Sequence, residues 1–209
     1  MPDRLKHVLI PAVTLMLLVL AGTTFGANKV VVLRVEGPDQ GFCDLKLEDK
    51  LYYLFSGVSG LTPAWKADVD YWMNQKDRNA RILYSSPIQQ ELGNRFNAEY
   101  LVWIKIKQAG TAVKSSTVVP FIFKSHKRKY VYEIDLRLID AQSGSLIKSK
   151  RISESKNGRR SMAYLDLDES SQPALASTYT DEMVMFEELE NKIADKIVKE
   201  FIKIHNKRR

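Results

Sequence analysis

One cysteine, Cys43, and three histidines are all that 209 residues supply of the side chains most used for thiol and metal chemistry. A lone cysteine closes no internal disulfide, so even in an oxidising compartment the fold must rely on packing. His126 falls in a basic loop and His205 in a basic tail, neither near another histidine or a cysteine at ligand spacing. No zinc site is expected from that pattern. A glycine-rich phosphate loop is missing, and so is a G-x-S-x-G nucleophile elbow. Asp166, Asp168 and Glu169 resemble half a calcium loop, but the third acidic position and the turn glycine are absent, so a solvated loop is the better reading. The sequence therefore offers no catalytic residue, no metal site and no cofactor, and it reads as a non-enzyme.

Long apolar runs are also scarce. The longest, Val8–Ala21, is interrupted by Pro11 and Thr14 and is shorter than the roughly 20 residues of a spanning helix. It follows Arg4, Lys6 and His7 and precedes Gly22, Thr23, Thr24, Phe25 and Gly26. A basic start, a short apolar core and small residues at its end are the parts of a secretory signal. Thr24 and Gly26 suit the peptidase pocket, which predicts cleavage after Gly26, with Ala27 the next choice. An uncleaved anchor is the competing reading. No cysteine follows the apolar core, so lipidation there is not expected. Removing 26 of 209 residues leaves 183, and the loss of Asp3, Arg4 and Lys6 takes the net charge from +7 to +6. That length makes one domain, residues 27–209. A basic balance favours polyanions, which outside the cytoplasm means anionic lipid or glycan rather than nucleic acid.

The pattern along the chain predicts an α+β (α/β) fold. Lys29–Val35 is a β-branched run, as in a strand covered on both faces. Leu45–Ser56 carries an apolar stripe at helical spacing and stops at Gly57. Thr62–Pro63 resembles an N-cap followed by first-turn proline, predicting a helix to Asn74. Ala80–Tyr84 is a short strand candidate, and Ser86–Pro87 opens a further helix through Ile88, Leu92 and Phe96. Glu99–Lys107 and Lys129–Asp140 alternate strictly, with Tyr100, Val102, Ile104 and Ile106 on one face of the first and Tyr130, Tyr132, Ile134 and Leu136 on one face of the second. Asp140–Gly144 is a turn, and Leu146–Ile152 returns as the third strand of an antiparallel meander. Residues 109–128 are read as a hairpin loop and 153–177 as a polar loop. Thr178 with Asp181 suggests a capping box for a long helix over 178–209 that ends in a basic tail, its charges arranged to suit the helix dipole.

Three basic clusters remain: Lys124 with His126–Lys129, Lys156 with Arg159 and Arg160, and Lys207–Arg209. If the first two lie together, Lys124, Lys127, Arg128, Lys129, Arg159 and Arg160 form a cationic patch suited to anionic headgroups or glycans; as separate loops they are ordinary solvated edges. Trp65, Tyr71 and Trp72 make either an aromatic glycan platform or, at helical spacing, part of a core.

Leu92–Ile106 (LGNRFNAEYLVWIKI) and Ile134–Ser149 (IDLRLIDAQSGSLIKS) resemble paired segments of the CsgG, LpoB and TolB N-terminal domain group. There a helix runs into a "lgAdylv-G" strand, and a later strand reads "v-lrliDa-tG-v--s". The resemblance implies a non-enzymatic bacterial envelope protein: a periplasmic module docking on partner proteins, or a subunit of an oligomeric secretion pore. The chain departs from the pattern in lacking the lipidation cysteine, in having Trp103 and Ile104 where the glycine is expected, and in the helix with its tryptophan pair, read as an insertion. A pore needs membrane hairpins with strands of about 9–11 residues. Val113–Lys124 is the candidate, interrupted by Pro120, and the 153–177 loop is too polar to be the second. The soluble module is therefore favoured over the pore, with polyanion binding a further alternative.

Overall fold

The computed structural model describes residues 28–37, 46–75, 85–119, 123–164 and 179–208. Asn28–Val32 forms β1, Leu47–Ser56 α1, Leu61–Pro63 β2, Lys66–Gln75 α2 and Ser86–Phe96 α3. Three long strands follow, β3 (Ala98–Val119), β4 (Phe123–Asp140) and β5 (Leu146–Tyr164), and then helix α4 (Tyr179–Arg208). The strands make one mixed sheet in the order β2-β1-β3-β4-β5, an α+β fold with β1 parallel to β2 and β3 and with β3–β4–β5 antiparallel.

The continuous apolar run of β1 has a direct cause. Val30 and Val32 point into a core shared with α1 and α4, while Val31 and Leu33 point into a second core shared with α2 and α3. β3 behaves alike at its start: Tyr100, Val102 and Ile104 join the first core, Leu101 and Trp103 the second. Beyond that point only the α4 side is covered, and strict alternation sets in. A bulge between Ile106 and Gln108 resets the phase, so that Ala109 rather than Gln108 meets the first core.

Four sequence expectations need correction. Thr62 and Pro63 do not open a helix. They end β2, an edge strand in which a residue without an N–H is tolerated, and Leu61 packs into the first core. Residues 109–128 are not a loop, because β3 and β4 stay paired from Tyr100↔Asp140 out to Val119↔Phe123. Pro120 lies outside the described residues. The 153–177 stretch is strand up to Tyr164, paired with β4 along its length; it lacks a hydrophobic signature because its outer face is uncovered. His205 is not in a tail. It is 3% exposed on α4, stacked on Phe201 with ring centroids 6.1 Å apart. The helix continues to Arg208, whose guanidinium bonds the Asp140 carboxylate at 2.7 Å.

The Asp140–Gly144 turn forms as the sequence predicts. Asp140 Oδ1 accepts from the amides of Gln142 and Ser143, and Gly144 takes φ +66°. The signal segment, Cys43, the 80–84 strand candidate, the half calcium loop and Thr178 of the capping box lie outside the described residues.

Candidate binding surface

Helix α4 lies across the β4–β5 half of the sheet and is tied to it by charge at several levels. Near its start Glu182 pairs with Arg128 at 3.3 Å. Further along, Glu188 bonds Lys156 and Lys196 bonds Glu154. Near its end Glu200 accepts from Lys148 and Lys150, each at 2.8 Å. Those two lysines hold the Glu200 carboxyl well below its usual range, at about 2. Glu190, on α4 beside Lys50 of α1, is shifted the other way: burial raises its pKa despite the Lys50 ammonium at 3.0 Å.

Between this helix and the outer edge of β5 runs a groove of about 350 Å³. It is lined by Lys150, Arg151, Ile152 and Ser153 from the strand and by Lys196, Lys199, Glu200 and Lys203 from the helix. No single stretch of sequence marks it. Lys196, Lys199 and Lys203 recur at three- and four-residue spacing, which puts them on one helical face, but Lys199 and Lys203 read plausibly as dipole complements. Nothing in the sequence says that this face looks onto Lys148 and Lys150.

The cationic patch predicted from the basic clusters is divided. Register places Lys127 opposite Arg160, Lys129 opposite Asn157 and Lys124 opposite Ala163, so the two clusters occupy neighbouring strands, with Arg159 between Asn157 and Arg160 on β5. Lys127 and Lys129 are exposed. On its other side Lys127 faces Lys114 of β3, a cation outside the three basic clusters of the sequence. Arg128 is turned to the opposite face, toward Glu182 of α4, so it ties helix to sheet rather than fronting solvent. A glycine at 158 permits this: a Cβ there would come within 2.8 Å of the Tyr130 ring and 3.3 Å of Arg128 Cβ.

The proposed aromatic platform also splits. Trp72 is core, 8% exposed, whereas Trp65 and Tyr71 are 74% and 66% exposed. A second groove of about 260 Å³ lies at the carboxyl end of β1, lined by Leu33, Arg34, Val35, Glu36, Gly37, Met73 and Trp103. There Trp103 Nε1 donates to Glu36 at 3.2 Å and Arg137 stacks over the indole at 5.0 Å. Among the described residues no three His, Cys, Asp or Glu side chains gather as a metal site requires, and no helix is long and apolar enough to cross a membrane.

No family model and no curated protein matches the chain. Solved structures do. It is similar to lipoprotein GNA1162 from Neisseria meningitidis (15% identity over 61% of this chain and 80% of that one, TM-score 0.45). It is similar also to the LpoB C-terminal domain from Escherichia coli (14% identity, 70% and 94%, TM-score 0.41). A third likeness is to a minor lipoprotein from Acinetobacter baumannii (8% identity, 87% and 95%, TM-score 0.42). All three TM-scores lie below 0.5.

Proposed function

We propose that this chain is an exported, non-enzymatic binding module of the bacterial cell envelope, acting by docking its surface on other envelope proteins. The observation that carries the reading is the lysine-lined groove along the outer edge of β5: an open strand edge beside concentrated charge is the equipment of a docking surface. The basic, apolar and small-residue segments of the N-terminus and the resemblance to the LpoB-containing group support the compartment and the class. No cofactor enters this reading.

One observation favours the pore-subunit reading. β3 and β4 have 22 and 18 residues, more than the roughly 9–11 a membrane strand needs. Against it stand Lys114, Lys127 and Lys129, exposed on the distal hairpin. A further alternative, binding of anionic lipid or glycan, draws on the register that sets Lys114 directly opposite Lys127. Like charges directly opposite one another are unfavourable, and an external anion would relieve them.

The test is fractionation of cells expressing the full chain, with intact mass on the product and an alkaline carbonate wash of the membranes. A species beginning near Ala27 in the soluble periplasm is the expected result. A processed species that stays in the outer membrane through the wash would replace the module with the pore. Binding to anionic vesicles that falls with salt, and with Lys127→Glu, would favour the polyanion reading.

A further inference from the structure

The sheet has two edges, β2 with three residues and β5 with nineteen. A strand edge presents N–H and C=O groups ready to pair with another chain, and proteins usually shorten, cover or block such edges. β5 is not short, and among the described residues nothing pairs with its outer side. Lysines are a common block, but Lys148 and Lys150 are drawn to the helix side by Glu200. The opposite side carries exposed Ser149, Ser153 and Ser155, small residues that leave room beside the strand, and Arg151 between them is drawn inward onto Asp135 and Glu133 of β4.

Charge identifies the occupant. On the helix side Lys148, Lys150, Lys156, Lys196, Lys199 and Lys203 stand against three carboxylates, Glu154, Glu188 and Glu200. We propose that the outer edge of β5 takes up an extended acidic segment of a partner protein as a sixth strand, its alternate carboxylates lying against Lys196, Lys199 and Lys203. Because side chains alternate along a strand, every second residue of that segment faces the lysines. The intervening ones face Ser149, Ser153 and Ser155 and are small or hydroxylated. Main-chain bonds supply affinity and the lysine wall selects sequence, as in other strand-addition complexes. A second copy of this chain is a poorer occupant, because it brings its own Lys148, Lys150 and Arg151 to a cationic groove. The proposal rests on the docking-module reading and names the chemistry of its partner.

The experiment uses the full chain as isolated from expressing cells and a fluorescent nine-residue peptide alternating Glu and Thr, read by anisotropy. Binding is expected, weakened about tenfold by Lys199→Glu with Lys203→Glu, the scale of two exposed charge pairs reversed. Lys127→Glu with Lys129→Glu should leave it unchanged. Two versions of the peptide, N-methylated on one or the other set of alternate amides, separate a ladder from simple attraction. One of them should bind about a hundredfold more weakly, as when several backbone hydrogen bonds are lost. Equal binding by both would overturn the sixth strand. So would a dimer, seen by sedimentation, that the peptide does not dissociate, since β5 would then be paired with its copy. Absence of peptide binding by a protein that fractionates to the soluble periplasm would sink this proposal and leave the docking-module reading standing.

Discussion

The two ends of the sheet are built on different terms. Where β1 lies between β2 and β3, helices cover both faces, and Val30, Val31, Val32, Leu101 and Val102 have no exposed surface at all. Toward the far end of β3, β4 and β5 the strands go on pairing after the helices have stopped covering them on one side. Asp135 and Glu133 then share Arg151 at 2.9 and 3.5 Å on the open face, and further out Lys114 faces Lys127. The covered end is held by burial and the open end by main-chain bonds and charge. Stability thus resides at the root of the sheet, and the side chains of its extension are under less packing constraint.

Substitutions break this contrast most strongly at the root. Phe201 is 1% exposed and meets Phe55 and Tyr100 edge-on, with ring centroids 5.1 and 5.0 Å apart. Phe201→Ala should cost about 3–5 kcal/mol in denaturant unfolding. Gly93→Ala comes next: a Cβ there would sit 2.4 Å from the Ala141 carbonyl oxygen, and overpacking of this kind costs about 1–3 kcal/mol. Ala141→Gly should not rescue it, because the nearest obstacle is backbone.

Acid sharpens the comparison between charge and burial. Glu200, lowered to about 2 by Lys148 and Lys150, binds its proton less readily in the folded state than in the unfolded one. Its contribution is therefore present above the ordinary value of 4.5 and fades as pH falls toward about 2. Unfolding free energies measured from pH 6 downward should fall less steeply in Glu200→Gln than in the parent. Glu190 acts in the opposite sense: its raised pKa means the folded state gains as it takes up a proton. The smallest effect belongs to the open end. Lys114→Thr should change stability by no more than about 0.5 kcal/mol, and in the favourable direction, since it removes a like-charge pair.

What could be read in the sequence follows the same division. Periodicity revealed β1 and the covered halves of β3 and β4, because burial writes a pattern. β2 went unseen, since three residues at an edge carry no period and Thr62–Pro63 imitates a helix start. The outer parts of β3, β4 and β5 read as loops, apart from the apolar Val113–Lys124, because stretches rich in Lys, Arg and Ser show no regular apolar alternation. The groove beside β5 stays hidden because its two walls, Lys150–Ser153 and Lys196–Lys203, lie about forty residues apart in the chain. The two stretches that carry the family resemblance turn out to meet. Gly93 abuts Ala141, the Ala141 amide bonds the Glu99 carbonyl at 2.9 Å, and Tyr100 pairs with Asp140. They are two sides of one packing contact, which explains why they speak to fold and not to ligand.

Helix α4 has a temporal meaning as well as a spatial one. It is the last described element in chain order, yet Phe186, Leu189, Ile193 and Phe201 complete the core that Val30 and Val32 begin. Until those residues have emerged, the first core has no lid, and contacts spanning so much of the chain form slowly. A polypeptide whose first core closes only with its last described helix gathers that core late, after nearly all of its described elements have been made.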